Sequence, residues 1–183
     1  MSTFKIHDLE SAPEGSKPLL ENSLKGFGMI PNLHGVLAES PQLLEAYQNL
    51  HKWFTETSFN AEELTVVWQT INVEHACHYC VPAHTAIAHM MKVDPSITEA
   101  LRNDTPLADN KLQTLKDLTL SLVRNRGHVS QEELDAFFAV GYTQTQVFEV
   151  VLALAQKTIS NYSNHIAKTP IDTPFQDFAW EKA

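Results

Sequence analysis

Cys77-His78-Tyr79-Cys80-Val81-Pro82-Ala83-His84 is the stretch from which the rest of the chain is read. The pattern predicts a helix over 78–92, with Cys77 at or just before its first turn. At about 100° per residue, Cys77, Cys80 and His84 fall within about a 60° arc. One helical face then carries two thiols and an imidazole. At a helix N-terminus the dipole and the free N–H groups favour a thiolate. His84 follows Cys80 by four residues, so the two side chains can meet. The imidazole can take the thiol proton or stabilise the thiolate as imidazolium. A thiolate that attacks a peroxide becomes a sulfenic acid, and a thiol one turn away resolves it to a disulfide. The trio therefore reads as a redox-active dithiol site.

Two other readings share the spacing. Cys77, Cys80 and His84, with His78 or His75, offer nitrogen and sulfur ligands for a tetrahedral zinc. Structural zinc sites draw a second ligand pair from a distant segment, and closure within eight residues of one helix is awkward. Two inert buried cysteines would also fit, but His75, His78 and His84 do not suit an apolar core. The redox reading calls for no metal and no cofactor. No glycine-rich phosphate loop is present to hold a nucleotide or a flavin.

The cysteine count supports a redox pair. The chain has two cysteines in 183 residues. A stabilising disulfide framework would space them to close longer loops. The N-terminal run Met1-Ser2-Thr3-Phe4-Lys5-Ile6-His7-Asp8 has no apolar leader core, and no stretch approaches the roughly 20 apolar residues of a membrane span. The expected location is the cytoplasm. The net charge is −9, which argues against nucleic acid or an anionic membrane as a partner.

Outward from the motif, the signals are helical. Asn60 caps a helix, with Glu63 reaching back in a capping box. Leu64, Val67, Trp68 and Ile71 follow on one face. Ser40-Pro41 opens an earlier helix carrying Leu44, Tyr47, His51 and Phe54. Asp94-Pro95 starts a short one. Asp109 caps a longer one with Leu112, Leu115, Leu118, Leu122 and Val123, which stops near Gly127. Ser130-Gln131-Glu132-Glu133 and Thr143-Gln144-Thr145-Gln146 are further capping boxes. The second of these opens a long helix that runs towards Pro170. No strand or hairpin pattern is convincing. A single all-α domain over 1–183 is expected. Its first 35 residues are expected to be loop-rich, punctuated by Pro13, Gly15, Pro18, Gly26, Gly28 and Pro31. Residues 170–183 are expected to form a non-helical arm whose aromatics dock on a surface.

At these residues the sequence resembles the AhpD-like alkylhydroperoxidases of the carboxymuconolactone decarboxylase superfamily, in particular the peroxidase-related branch. The motif is Cys77, Tyr79, Cys80 and His84. Gly28-Met29-Ile30-Pro31-Asn32 and Asn161-Tyr162-Ser163-Asn164-His165-Ile166-Ala167, followed by Thr169-Pro170-Ile171-Asp172 and Phe175, match segments that flank it in that branch. The resemblance implies orthogonally packed helices and a homo-oligomer. It also implies an oxidoreductase of the thiol peroxidase type, which reduces hydroperoxides with electrons from a thiol or dithiol donor. A disulfide reductase is the other activity implied. Both cysteines are kept, which argues against lactone decarboxylation. One departure stands out. The family's relay glutamate, twelve residues before the first cysteine, falls here on Thr65. Glu63 or Glu74 could replace it, and Glu74 is favoured for its nearness to the thiols. Cys80, nearest His84, is expected to attack, with Cys77 resolving, although the more N-terminal cysteine attacks in many CxxC proteins.

Overall fold

The computed structural model describes residues 4–182. Among them there is no strand, and the chain runs through α1 (Lys17–Phe27), α2 (Asn32–Leu37), α3 (Pro41–Thr55), α4 (Ala61–Glu74), α5 (Cys80–Met90), α6 (Pro95–Arg102), α7 (Asn110–Arg124), α8 (Gln131–Ala139) and α9 (Gln144–Ala167). The expected caps are where the sequence places them. Asn60, Ser130 and Thr143 each close a full capping box. Ser40, Asp94 and Asp109 each accept a first-turn backbone N–H. These bonds satisfy donors that a helix start leaves orphaned.

The N-terminal region is more regular than its glycines and prolines imply. Residues 17–27 form a helix of three turns. Pro18 sits in the first turn, where its missing N–H costs nothing. Gly28 takes a left-handed φ of 71° and ends the helix. Residues 6 and 7 then cross α2 at Gly35. The His7 N–H donates to the Gly35 carbonyl at 3.0 Å, and a Cβ on Gly35 would stand 2.7 Å from Ile6.

α4 is the central helix. Every residue from Glu63 to Val73 is buried, a wider burial than the single face read from Leu64, Val67, Trp68 and Ile71. The core falls into two parts. One gathers Phe54, Trp68, Ile71, Leu115, Phe137 and Val150. The other gathers Leu20, Leu37, Leu44 and Tyr47, and it includes both cysteines.

The C-terminal arm, expected to be non-helical, packs against α5 and α6 through polar as well as aromatic groups. It contains a short 3-10 segment, Thr173–Phe178. Arg102 donates to the carbonyls of Phe178 and Ala179, and the Trp180 indole donates to the Arg102 carbonyl. Phe178 packs edge-on against His89. No single helix among the described residues is long and apolar enough to cross a membrane.

Candidate active site

The thiols are positioned by the break between α4 and α5. Ala76 adopts a left-handed φ of 51°. The Cys77 N–H reaches back to the Asn72 carbonyl at 2.9 Å, closing α4. α5 then begins at Cys80, two residues later than the pattern predicts, because 78–79 form a turn. This puts Cys80 in the first position of a helix and Cys77 just outside it. The Cys80 N–H donates to the Cys77 sulfur at 3.2 Å. Both residues are free thiols and both are buried.

The two sulfurs differ in environment. Burial alone would raise the Cys80 thiol. That is outweighed by a hydrogen bond from Cys77, the positive charge of Lys157 and hydrogen bonds from Ser160 and Asn164, so Cys80 is held below the ordinary thiol range. The Asn164 amide donates to the Cys80 sulfur at 3.2 Å. Cys77 is pushed the other way, because it gives its proton to the bond with Cys80, is desolvated and faces the thiolate charge. The two shifts run in opposite directions, so the thiolate is favoured on Cys80 and the proton on Cys77.

His84 is not bonded to either thiol. Its Nε2 lies 2.9 Å from Lys157 Nζ, within hydrogen-bond distance; burial lowers the Lys157 ammonium, and the charge of Cys80 and Cys77 opposes that. With Lys157 as the donor the imidazole proton sits on Nδ1, which is buried without a partner. Burial first, then the Lys157 charge and His51, hold His84 neutral. Trp68 lies against it with ring centroids 4.7 Å apart. The Trp68 indole donates to Gln156, and the Gln156 amide donates to His51 Nδ1.

Lys157 is the residue that sequence reasoning missed. It is fully buried in the middle of α9, and no carboxylate among the described residues pairs with it. A signal was present in the sequence. The buried stripe of α9 is Val150, Ala153, Gln156, Lys157, Ser160, Asn161, Asn164 and Ala167. Its second half is polar, at the spacing that should face the core. A helix buries such a stripe only where other groups meet it, and here they do. Asn161 donates to Asn72, and Asn72 donates to Gln69. His75 donates from Nδ1 to Asn161.

The acids expected to replace the relay glutamate are elsewhere. Both oxygens of Glu74 are held by the Arg124 guanidinium, at 2.8 and 2.7 Å, on an exposed edge. That hydrogen bond lowers its carboxyl. Glu63 is occupied by its capping box and by Lys111 at 3.1 Å. Thr65 is buried and donates to the Ala61 carbonyl at 2.8 Å. None of the three reaches the thiols through these bonds. His78 donates to the Thr169 carbonyl at 2.9 Å. With His75 and His84 likewise committed, the imidazoles that a zinc site would draw on are turned to other partners.

Three segments far apart in sequence meet at Tyr79. Its hydroxyl donates to Asp172 and accepts from the Leu33 N–H at 3.3 Å. Asp172 also accepts from the Asn32 N–H at 3.0 Å, and the Asn32 amide donates to the Pro170 carbonyl. Residues 31–33, 79 and 170–172 thus form one clasp beside the thiols.

Above Cys80 lies a cavity of about 470 Å³. Its walls include Phe27, Leu33, Tyr47, Ile87, Met90 and Phe175. Cys80, His84 and Lys157 line it, and Cys77 does not. A row of rings runs from its wall into the core, ending on Trp68, which does not line it. Phe27 meets His34, His34 meets Tyr47, Tyr47 meets His51 and His51 stacks on Trp68. Burial holds His34 neutral, lowered to about 3, and His51 neutral, lowered to about 4.

The helical architecture and the dithiol at the start of α5 define an all-α dithiol protein. Its fold is that of the AhpD-like proteins. The chain is similar to a peroxidase-related protein from Ralstonia eutropha JMP134, described as an alkylhydroperoxidase AhpD core, with a TM-score of 0.82, 17% identity and coverage of 95% of this chain and 94% of that one. It is similar to a peroxidase-related protein from Silicibacter sp. TM1040, with a TM-score of 0.78, 16% identity and 94% of each chain covered. It is also similar to the debrominase Bmp8, with a TM-score of 0.79, 16% identity and coverage of 97% and 96%. A cysteine-to-alanine variant of that debrominase was solved with 2,3,4-tribromopyrrole. No family model and no curated protein matches the sequence.

Proposed function

We propose that the protein is a thiol-dependent peroxidase that reduces organic hydroperoxides through a Cys77–Cys80 dithiol/disulfide cycle. The observation that carries this reading is the asymmetry of the pair. A thiol held low opens onto an apolar cavity, and its fully buried partner keeps the proton. The Cys80 thiolate attacks the distal oxygen of the hydroperoxide. The O–O bond breaks, an alkoxide leaves and takes a proton, and Cys80 becomes a sulfenic acid. Cys77 attacks that sulfur, hydroxide leaves with the Cys77 proton as water, and the disulfide forms. A thiol or dithiol donor then supplies two electrons and two protons.

The depth of the site supports small substrates over a protein disulfide. Cys80 is 2% exposed and Cys77 is fully buried, so a folded partner's disulfide would not reach either sulfur. A second reading, reductive dehalogenation of a small haloaromatic, is favoured by the row of rings along the cavity. There the dithiol would supply two electrons, the carbon–halogen bond would become carbon–hydrogen, and halide would leave. A homo-oligomer is supported by α9, whose outer face exposes Phe148, Val151, Tyr162 and Ile166 within about a 60° arc.

Single-cysteine variants test the reading. With cumene hydroperoxide, Cys77→Ser is expected to accumulate a sulfenic acid on Cys80, trapped by dimedone and mapped by mass spectrometry. Cys80→Ser is expected to form none at the wild-type rate. Sulfenic acid on Cys77 in Cys80→Ser at that rate reverses the roles. Failure of the reduced wild type to consume any hydroperoxide, with halide released from bromopyrroles instead, moves the assignment to the second reading.

A further inference from the structure

We propose that Lys157 and His84 are the proton source of this site. The Lys157 ammonium compensates the Cys80 thiolate in the dithiol form, and its proton passes through His84 to the leaving oxygen. The inference rests on the peroxidase reading for the identity of the leaving group. It does not rest on that reading for the pairing of Lys157 with the thiolate.

The argument begins with burial. Lys157 is fully buried, and among the described residues no carboxylate forms an ion pair with it. An ammonium desolvated without a counter-charge sheds its proton. The titratable groups around it are Cys77, Cys80, His84 and His51, with Tyr47 close by. His84 and His51 are neutral, and burial keeps the Tyr47 phenol protonated. The negative charge left to face Lys157 is the shared charge of the two thiols. Burial lowers the Lys157 ammonium and the charge of Cys80 and Cys77 opposes that, so the ammonium and the thiolate support each other.

Chemistry then couples them. When Cys80 attacks, its negative charge moves to the departing alkoxide. Lys157 is left buried with no counter-charge, at the moment that oxygen needs a proton. His84 lies in between in bonding terms. Its Nε2 lies 2.9 Å from Lys157 Nζ, its Nδ1 is buried without a partner, and its ring lines the cavity. Transfer of the Nδ1 proton to the alkoxide and of a Lys157 proton to Nε2 leaves an alcohol, a neutral amine and a neutral imidazole with its proton on Nε2. The step balances without a further acid. Lys157 regains its proton when the donor restores the thiolate. A lysine from α9 thus takes the role that the resemblance gives to a glutamate at the position of Thr65, and for which the sequence offers Glu74 or Glu63.

The test separates this claim from the peroxidase reading. Thiolate content of the reduced full-length protein is followed against pH by its ultraviolet absorbance and by iodoacetamide alkylation mapped to Cys80. Lys157→Met is expected to raise the Cys80 midpoint by at least about one pH unit, towards the ordinary thiol value of about 8.5. Lys157→Arg is expected to restore most of the difference. An unchanged midpoint in folded Lys157→Met overturns the proposal. NMR of the Lys157 side chain in the wild type needs no variant to fold. It should show a charged amine in the dithiol protein and a neutral one in the disulfide protein at mildly alkaline pH. The same protonation state in both forms overturns the proposal. These readouts need no hydroperoxide, so loss of the peroxidase reading would leave them standing.

Discussion

Ala76 shows how one residue sets the geometry of the thiols. Its left-handed backbone ends α4 and lets Cys77 return a hydrogen bond to Asn72. For an L-residue with a Cβ that conformation costs about 1–2 kcal/mol. Ala76 is exposed, so glycine would lose no packing. Ala76→Gly is therefore expected to stabilise the protein by about 0.5–1 kcal/mol in chemical denaturation, since relief of strain exceeds the added entropy of the unfolded chain. A loss of stability would show that the turn needs the alanine for another reason. At the same scale, the lowered Cys80 thiol predicts that alkylation stays fast as pH falls below the ordinary thiol range, and fades only well under it.

At the scale of elements, the clasp at Tyr79 joins α2, the start of α5 and the chain beyond α9. The tyrosine hydroxyl serves Asp172 and Leu33 at once. Tyr79→Phe leaves a buried N–H and a carboxylate oxygen without that partner, at a cost of about 1–3 kcal/mol. Asp172→Asn removes the charge-assisted bond from the other side. In a double-mutant cycle the two losses should fall short of additivity by about 1 kcal/mol or more. Full additivity would mean that the segments are held by other contacts. The clasp gathers the segments around Pro31-Asn32 and Pro170-Asp172 onto the cysteine motif. They are hydrogen-bonded to one another and to the tyrosine inside that motif.

At the scale of the whole molecule, the neutral histidines make stability depend on acid. His34 and His51 titrate near 6.5 when unfolded and are lowered on folding to about 3 and about 4. Below 6.5 the unfolded chain binds protons that the folded chain refuses, so stability falls as pH falls. Each group contributes a slope of up to about 1.4 kcal/mol per pH unit. The two together approach about 3 kcal/mol per unit at about pH 5, and the effect of His51 ends near its folded value. His84 adds in the same direction. Urea unfolding across this range would measure the slope, and a flat profile would mean that the imidazoles are solvated.

The sequence by itself determined the helical class, most helix starts and the dithiol. Those depend on capping residues and apolar spacing within one or two turns, which short-range chemistry dictates. The N-terminal helix was less legible, because Pro18 and Gly28 are compatible with a helix only at its ends, and both sit at ends. The pairing of Lys157 with His84 was decided by the tertiary structure alone. Glu74 looked near the thiols because it is near in the chain, but an arginine from α7 draws it outward. Lys157 looked remote, seventy-three residues beyond His84, yet the packing of α9 brings it within 2.9 Å of that imidazole. Charge pairing inside a core depends on which helix faces meet, and sequence distance carries no record of that.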